Sequence, residues 1–364
     1  MLVYISADHN GLAKFATADL DEMKEGVKQL TNKNNHVLVY VDTGEAKLIE
    51  LKLEKGDVVE NIIKEYGKRN SVGIAESLEV FNDVFKNPTY QADNYGLVYW
   101  SHGEGWYPYP VDTKVDSRWI GQDGGEGDNR MNISDFVTIL QSAPHFDFLL
   151  FDCCFGQSVE VLYELRSFAD YCFGSPTETP GPGAPYQVLV PIMFQQGNVA
   201  RLLAEGYFKE YERLYDSGNG LSNSNWTAGV SVSLVEMKQL ENLAEATSRV
   251  LPEQSISNSE LASHLFDYDQ RPKYSSGYVG YFDLVQMMQN LCTPSDYAIW
   301  KTEFDKAVVY YQTTPLNYSA AGGLFSMKGS NGLTQYILRD NKAVNAAYKN
   351  NAWYIAAGLS KLGW

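Results

Sequence analysis

Apolar and polar positions switch between two periods along the first half of the chain. Leu2–Ala7 (LVYISA) is a continuous apolar run of strand length, and a helical spacing follows from about Leu12 to Leu30. His36–Val41 (HVLVYV) is again strand-like, and Ala46–Leu53 alternates as a further strand, placed at a sheet edge. Ser71 to Phe85 carries helical periodicity, Tyr95–Ser101 (YGLVYWS) reads as a buried strand, and a short helix begins near Asn132. Phe146–Cys153 (FDFLLFDC) is the most apolar strand of all. A helix from about Gln157 to Arg166 and a strand at Tyr171–Gly174 complete the series. Apolar strands separated by helices predict an α/β fold, with a mostly parallel sheet covered by helices on both faces. Groups that act on ligands in such sheets lie beyond the carboxyl ends of the strands. His102 and Cys154 each end one of these strands.

The texture changes past about Asn225. A strand-like segment at Val230–Val235 leads into a helix around Met237–Val250, then a tyrosine-rich polar stretch, a helix near Ser295–Tyr311 and a last helical segment ending at Trp364. This predicts a domain over 1–224 and a C-terminal α/β subdomain over 225–364 packed on it. A chain of 364 residues with 44% hydrophobic content has ample material for such a core. The polar, glycine-rich stretch from about Glu104 to Arg130 is long for a compact domain, and long loops are usually functional or mobile.

Charge narrows the range of partners. The formal net charge is −16, which disfavours nucleic acid and anionic lipid, because both present phosphates that an acidic surface repels. No apolar run is long enough to span a bilayer. The first strand begins at Leu2 with no signal peptide before it, which predicts a cytoplasmic product or a chain whose export segment has been removed. The four cysteines, Cys153, Cys154, Cys172 and Cys292, show no disulfide spacing. Adjacent Cys153 and Cys154 point to opposite faces of an extended strand and are poor joint ligands for one metal.

Two residues carry candidate chemistry. Cys154 falls between a buried strand and a helix, where the positive helix end would favour the thiolate; the plainer reading is a small buried residue. His102 precedes Gly103, so an imidazole that could take the thiol proton stands beside a backbone N–H open to an oxyanion. A turn histidine satisfied by backbone is its alternative. His9, after the first strand, is the only serious competitor among the other histidines. The pair follows a known order, since His102 precedes Cys154 by 52 residues and caspases place their histidine about 50 residues before the nucleophile.

The sequence resembles the clostripain-like cysteine peptidases, relatives of caspases, gingipains and legumains. The opening at 2–12 and 16–23 (LVYISADHNGL, ATADLDEM) is similar to that family's first strand and acidic helix. Ser101-His102-Gly103-Glu104-Gly105-Trp106 resembles its His-Gly-x-Gly-Trp motif, and Phe151-Asp152-Cys153-Cys154 its Asp-Ala-Cys motif, with Cys153 in place of the alanine. Weaker similarity extends through Gly322–Ser326 and the closing segment from Trp353 to Leu362. The resemblance implies a caspase-like catalytic domain over 1–224 and hydrolysis of peptide bonds in peptide or protein substrates by a Cys154–His102 dyad. The backbone N–H groups of Gly103 and Cys154 would receive the oxyanion. It also implies that Asp152 helps form the pocket for an Arg or Lys side chain at P1, where a structural hydrogen bond at the strand end is the competing role. Basic-specific members often carry a second acid in the glycine-rich loop after the next strand. Here Pro182 stands at that place, and Glu178 is the nearest carboxylate. Either the pocket relies on Asp152 and Glu178, or it takes a smaller or apolar side chain.

The same resemblance makes Lys114, Arg118 and Arg130 candidates for self-cleavage during maturation, against an ordinary exposed loop with scattered charge. Asp123, Glu126 and Asp128 offer oxygen ligands to calcium, on which family members can depend. Their spacing matches no EF-hand, and a solvated acidic turn is the alternative. The chemistry itself needs no cofactor. Many relatives are exported, so the resemblance implies a secreted or cell-envelope location, with a cytoplasmic one still open. The second functional reading is a non-catalytic or latent relative that binds peptide or glycan.

Overall fold

The fold is described from a computed structural model, which covers the whole chain except Asn10, Lys33, 108–118, Glu126, 217–227 and Ser276. A nine-stranded sheet runs through the molecule in the order β12-β10-β9-β8-β5-β1-β2-β3-β4. Its centre is β1 (Leu2–Ser6), β2 (Val37–Asp42), β5 (Gly96–Trp100), β8 (Phe146–Asp152) and β9 (Ala169–Gly174), all mutually parallel. Antiparallel pairs finish both sides: β3 (Ala46–Glu54) with β4 (Asp57–Gly67) beyond β2, and β10 (Ser231–Glu236) with β12 (Val308–Thr313) beyond β9. This is the mixed but centrally parallel sheet the apolar runs predict.

The two faces follow from the period of two along each strand. Leu2 and Tyr4, Leu38 and Tyr40, and Leu97 and Tyr99 point to one core. Val3 and Ile5, Val39 and Val41, and Val98 and Trp100 point to the other. Helices α1 (Ala13–Val27), α5 (Tyr186–Ile192) and α6 (Val199–Leu214) cover the second face. The first face carries α2 (Ile74–Phe85), α3 (Ile133–Leu140) and α4 (Val159–Leu165) together with α7 (Leu240–Val250), α9 (Leu284–Leu291), α10 (Pro294–Ala307) and α12 (Ala352–Ala356). One core therefore runs through segments on both sides of residue 225, and β10 and β12 from beyond that point extend the same sheet. No helix among the described residues is long and apolar enough to cross a membrane.

Two elements differ from the sequence expectation. β3 is not an edge, because β4 pairs along its whole length. The hairpin turns at Lys55 and Gly56, whose φ angles of 53° and 99° are the positive pair a type I′ turn needs. β4 was hidden because its outer face is solvent, so Asp57–Gly67 shows neither a clean strand alternation nor an apolar run. The helix expected to reach Tyr311 stops at Ala307, and Val308-Val309-Tyr310-Tyr311 joins the sheet as β12. β-branched and aromatic residues fit a pleated surface, and pairing with β10 overrides the helical register that precedes them.

Candidate active site

Strand register brings the two sequence candidates together. β5 and β8 are neighbours, with Trp100 opposite Asp152. His102 and Cys154 each lie two residues past those partners, so adjacent parallel strands carry both to the same edge of the sheet. They line one cleft of about 390 Å³ with Asp152, Glu178, Thr179 and Arg271.

The chain is constrained on either side of the cysteine. Phe155 takes a φ of 55°, rare for a bulky residue, and is held there by its N–H donated to Thr177 O at 3.0 Å and by stacking on Tyr281 at 4.4 Å. Gly103 is a matter of clearance, because a Cβ there would sit 2.6 Å from Cys153 Sγ and 2.7 Å from Cys154 O. Among the described residues, the N–H groups of Gly103 and Cys154 are not used by any other group of the protein. Both remain available to an oxyanion.

The electrostatics correct one expectation. Burial pushes the Cys154 thiol up, Glu178 adds to the rise, and the Thr179 N–H opposes it. The helix α4 starts only at Val159, too far along the chain to outweigh that burial. Thr179 meets the sulfur with both backbone groups: its N–H donates to Sγ at 3.3 Å, and the thiol faces its carbonyl at 3.9 Å. His102 moves the other way, its pKa lowered to about 4 by burial, with His9 and Arg130 adding to the shift. Its ring stands edge-on to His9 at 4.9 Å and to Trp119 at 6.4 Å. The resting pair is thus a thiol and a neutral imidazole.

Asp152 is 3% exposed and sits at the base of the cleft. Its Oδ2 accepts from Ala184 N at 2.9 Å and from Tyr186 Oη at 2.8 Å, while Oδ1 is buried without a partner among the described residues. Burial raises its pKa to about 6. Asp19 on α1 lies behind it: Asp19 Oδ2 accepts from the indole of Trp100 at 2.7 Å, its other oxygen is buried without a partner among the described residues, and burial, with Asp152 adding to it, raises its pKa. The sequence reading missed Asp19 because nothing marks which face of an acidic helix a sheet will cover. Glu178 lines the cleft, but Ser319 Oγ and Ala320 N already occupy its two oxygens at 2.6 and 2.8 Å.

The loop candidates separate. Lys114, Arg118 and Glu126 lie outside the described residues. Arg130 is in β7 (Asn129–Met131), stacked on Trp119 at 4.6 Å and paired with Asp128 at 2.6 Å. Asp123, in β6 (Gly121–Asp123), accepts from Ser71 N at 2.7 Å and Gly125 N at 3.0 Å, and Asp128 also accepts from Gln122 Nε2 at 2.7 Å. Among the described residues, no three His, Cys, Asp or Glu side chains are grouped to hold a metal ion.

A further part of the site comes from the C-terminal half. Arg271 forks onto Glu104 at 2.9 and 2.8 Å and onto Asp269 at 2.6 and 3.0 Å, and its guanidinium lies over Phe155 at 5.3 Å. Tyr281 Oη donates to Glu104 O. These contacts clamp the segments around His102 and Cys154 to residues 269–281, a link no local sequence signal announces. Arg271 and Glu104 are part-buried and Asp269 is fully buried, so removing the guanidinium leaves a buried carboxylate without its cation, a loss that approaches the about 3–5 kcal/mol of a fully buried pair without reaching it. Arg271→Met is therefore expected to lower the thermal midpoint by several degrees in a calorimetric scan, and an unchanged midpoint would show that the clamp contributes nothing.

The sheet order and the cleft at its carboxyl edge define the class first: this is a caspase-like fold built around a thiol and an imidazole. Residues 3–364 match the model of the clostripain family of C11 peptidases, and the chain belongs to that family of cysteine proteases. It is 42% identical to a secreted C11 cysteine protease from Bacteroides thetaiotaomicron, solved with an irreversible peptide inhibitor, with a TM-score of 0.88 over 98% of each chain. An inactive zymogen C11 protease from Parabacteroides distasonis is 28% identical, with a TM-score of 0.80 over 98% of this chain and 96% of that one. A B. fragilis cysteine protease is 44% identical over 68% of this chain and 99% of its own, with a TM-score of 0.62. No curated protein matches the sequence.

Proposed function

We propose that this cysteine peptidase is an endopeptidase that cleaves after Arg or Lys, with Cys154 as nucleophile, His102 as general base and acid, and Asp152 as the anchor for the P1 cation. The observation that carries the reading is the β5–β8 register, which brings His102 and Cys154 to one cleft with Asp152, whose buried Oδ1 has no partner among the described residues. From the neutral resting pair, His102 takes the thiol proton as Cys154 Sγ attacks the scissile carbonyl. The N–H groups of Gly103 and Cys154 receive the oxyanion. Collapse expels the amine, to which His102 returns the proton, and water then hydrolyses the thioester by the same proton route. No cofactor takes part.

The P1 assignment rests on charge. A buried carboxylate oxygen without a donor is costly until a cation or a proton satisfies it. A guanidinium or ammonium entering past Trp100 would do so, and Asp19 behind Asp152 places a second buried carboxyl there, while Pro182 provides none. A latent resting state is favoured by one contact, the Thr179 backbone against Cys154 Sγ, which must withdraw for the sulfur to attack. By likeness to its secreted relative, the protein is assigned to the outside of the cell or its envelope.

A fluorogenic peptide panel varied at P1 tests these assignments. Turnover confined to Arg and Lys is the expected result. Turnover after other residues would overturn the role of Asp152 and keep the peptidase. No turnover even after limited proteolysis, with Cys154 inert to iodoacetamide, would favour the peptide- or glycan-binding reading instead.

A further inference from the structure

The imidazole of a cysteine peptidase needs something to fix its ring plane, because proton transfer depends on which nitrogen faces the sulfur. A carboxylate, an amide or a backbone carbonyl commonly does this by accepting from the far ring nitrogen. Here, among the described residues, no side chain or carbonyl of the protein is hydrogen-bonded to His102. Its ring meets instead the ring of His9, with centroids 4.9 Å apart and planes at 89°.

His9 reaches that place through the sheet. β1 lies on the other side of β5 from β8, with Ile5 opposite Trp100. Three neighbouring strands therefore end in His9, His102 and Cys154, one after another along the carboxyl edge. The backbone of His9 is tied down on both sides: its N–H donates to Ala7 O at 2.7 Å, and its carbonyl accepts from Leu12 N at 3.1 Å. Asp8 O accepts from Gly124 N at 2.6 Å, and the bare Gly124 lets the β6–β7 turn close over the ring, since a Cβ there would lie 3.2 Å from His9 Cδ2. The Nδ1 of His9 is buried and has no partner among the described residues. A polar nitrogen left unsatisfied in a rigid setting beside a catalytic ring is not what packing alone would select, because an apolar ring would fill the space without that cost.

We propose that His9 is the positioning residue of the dyad, holding the His102 ring by edge-to-face contact. This rests on His102 being the base. The groups that face the two rings are His9 from the segment after β1, Arg130 from β7, Asp8 and Asp128 on the far side of His9, and Cys154 across the cleft. Arg130 acts on His102 in the same direction as His9, so loss of His9 removes one of the two neighbours that lower the His102 pKa and lets that imidazole take a proton at higher pH.

The experiment compares wild type with His9→Ala, His9→Phe and His102→Ala, following both peptide turnover and alkylation of Cys154 by iodoacetamide from pH 4 to 9. Misplacement of a catalytic ring costs about ten- to a hundredfold in rate, so His9→Ala should lose that much in kcat with KM nearly unchanged. Its acid limb, for turnover and alkylation alike, should move to higher pH. His9→Phe keeps an aromatic edge but carries no imidazole, so it should recover most of kcat while keeping the displaced limb. If His102→Ala abolishes turnover but His9→Ala matches wild type in kcat and pH profile, the positioning role is overturned and the dyad stands. If His102→Ala itself leaves turnover and alkylation unchanged, the dyad fails and His9 with it. If His9→Ala loses kcat with no shift of the limb and His9→Phe does not restore it, His9 serves only the fold.

Discussion

Cys154→Ala is expected to abolish peptide hydrolysis, with kcat falling by at least about 10⁴-fold while the protein remains folded. Cys154 is part-buried at the margin of the core and its sulfur meets Thr179, so alanine, which removes a single atom, should move the thermal midpoint little. The neighbouring Cys153 cannot substitute. It is 3% exposed, burial raises its pKa well above the usual thiol value, and its side chain packs against Gly103. Steady-state turnover and intact-mass labelling with iodoacetamide check both parts. Retained turnover would move the nucleophile elsewhere. In the active protein the pH profile should show an early acid limb, because His102 is held near 4 and stays a neutral base above that value. The sign follows from the base role: activity falls as pH drops through the His102 pKa and the imidazole acquires a proton.

Asp152→Asn is expected to lower kcat/KM for Arg and Lys peptides by about 100- to 1000-fold, the usual consequence of leaving a cation opposite a neutral group in a buried site. Asparagine can still accept from Ala184 N and Tyr186 Oη, so the strand end and the 175–186 loop keep their geometry. The loss should fall on basic P1 residues, and a uniform loss over the whole panel would point to a structural role instead. The wild-type protein offers the same test through pH. Burial raises Asp152 to about 6, so KM for an Arg peptide should rise as pH falls below that value and the carboxylate is neutralised. Linkage in the unliganded protein has the opposite sense. The folded pKa exceeds the ordinary 3.8, so this group's contribution to stability is complete below 3.8 and is lost as pH rises through about 6. An occupied P1 pocket reverses that penalty, because a bound cation favours the ionised form.

The sequence determined the central sheet and the place of its candidate chemistry. Apolar runs of strand length such as Tyr95–Ser101 and Phe146–Cys153 read as strands buried on both faces, and that puts His102 and Cys154 at carboxyl ends. It also marked Asp152, whose position two residues before the cysteine keeps it on the same strand end. Periodicity failed where burial is one-sided or contested: β4 faces solvent on one side, and β12 follows a helix without a break. The remainder of the site was decided by tertiary structure, because it depends on which distant segments meet. His9 reaches His102 only because β1 is inserted beside β5, Asp19 lies behind Asp152 only because α1 packs on that face, and Arg271 joins Glu104 across 167 residues of chain. The thiol's ionisation was decided there as well. A helix end is visible in a sequence, but the burial and the Glu178 carboxylate that override it are properties of the folded cleft.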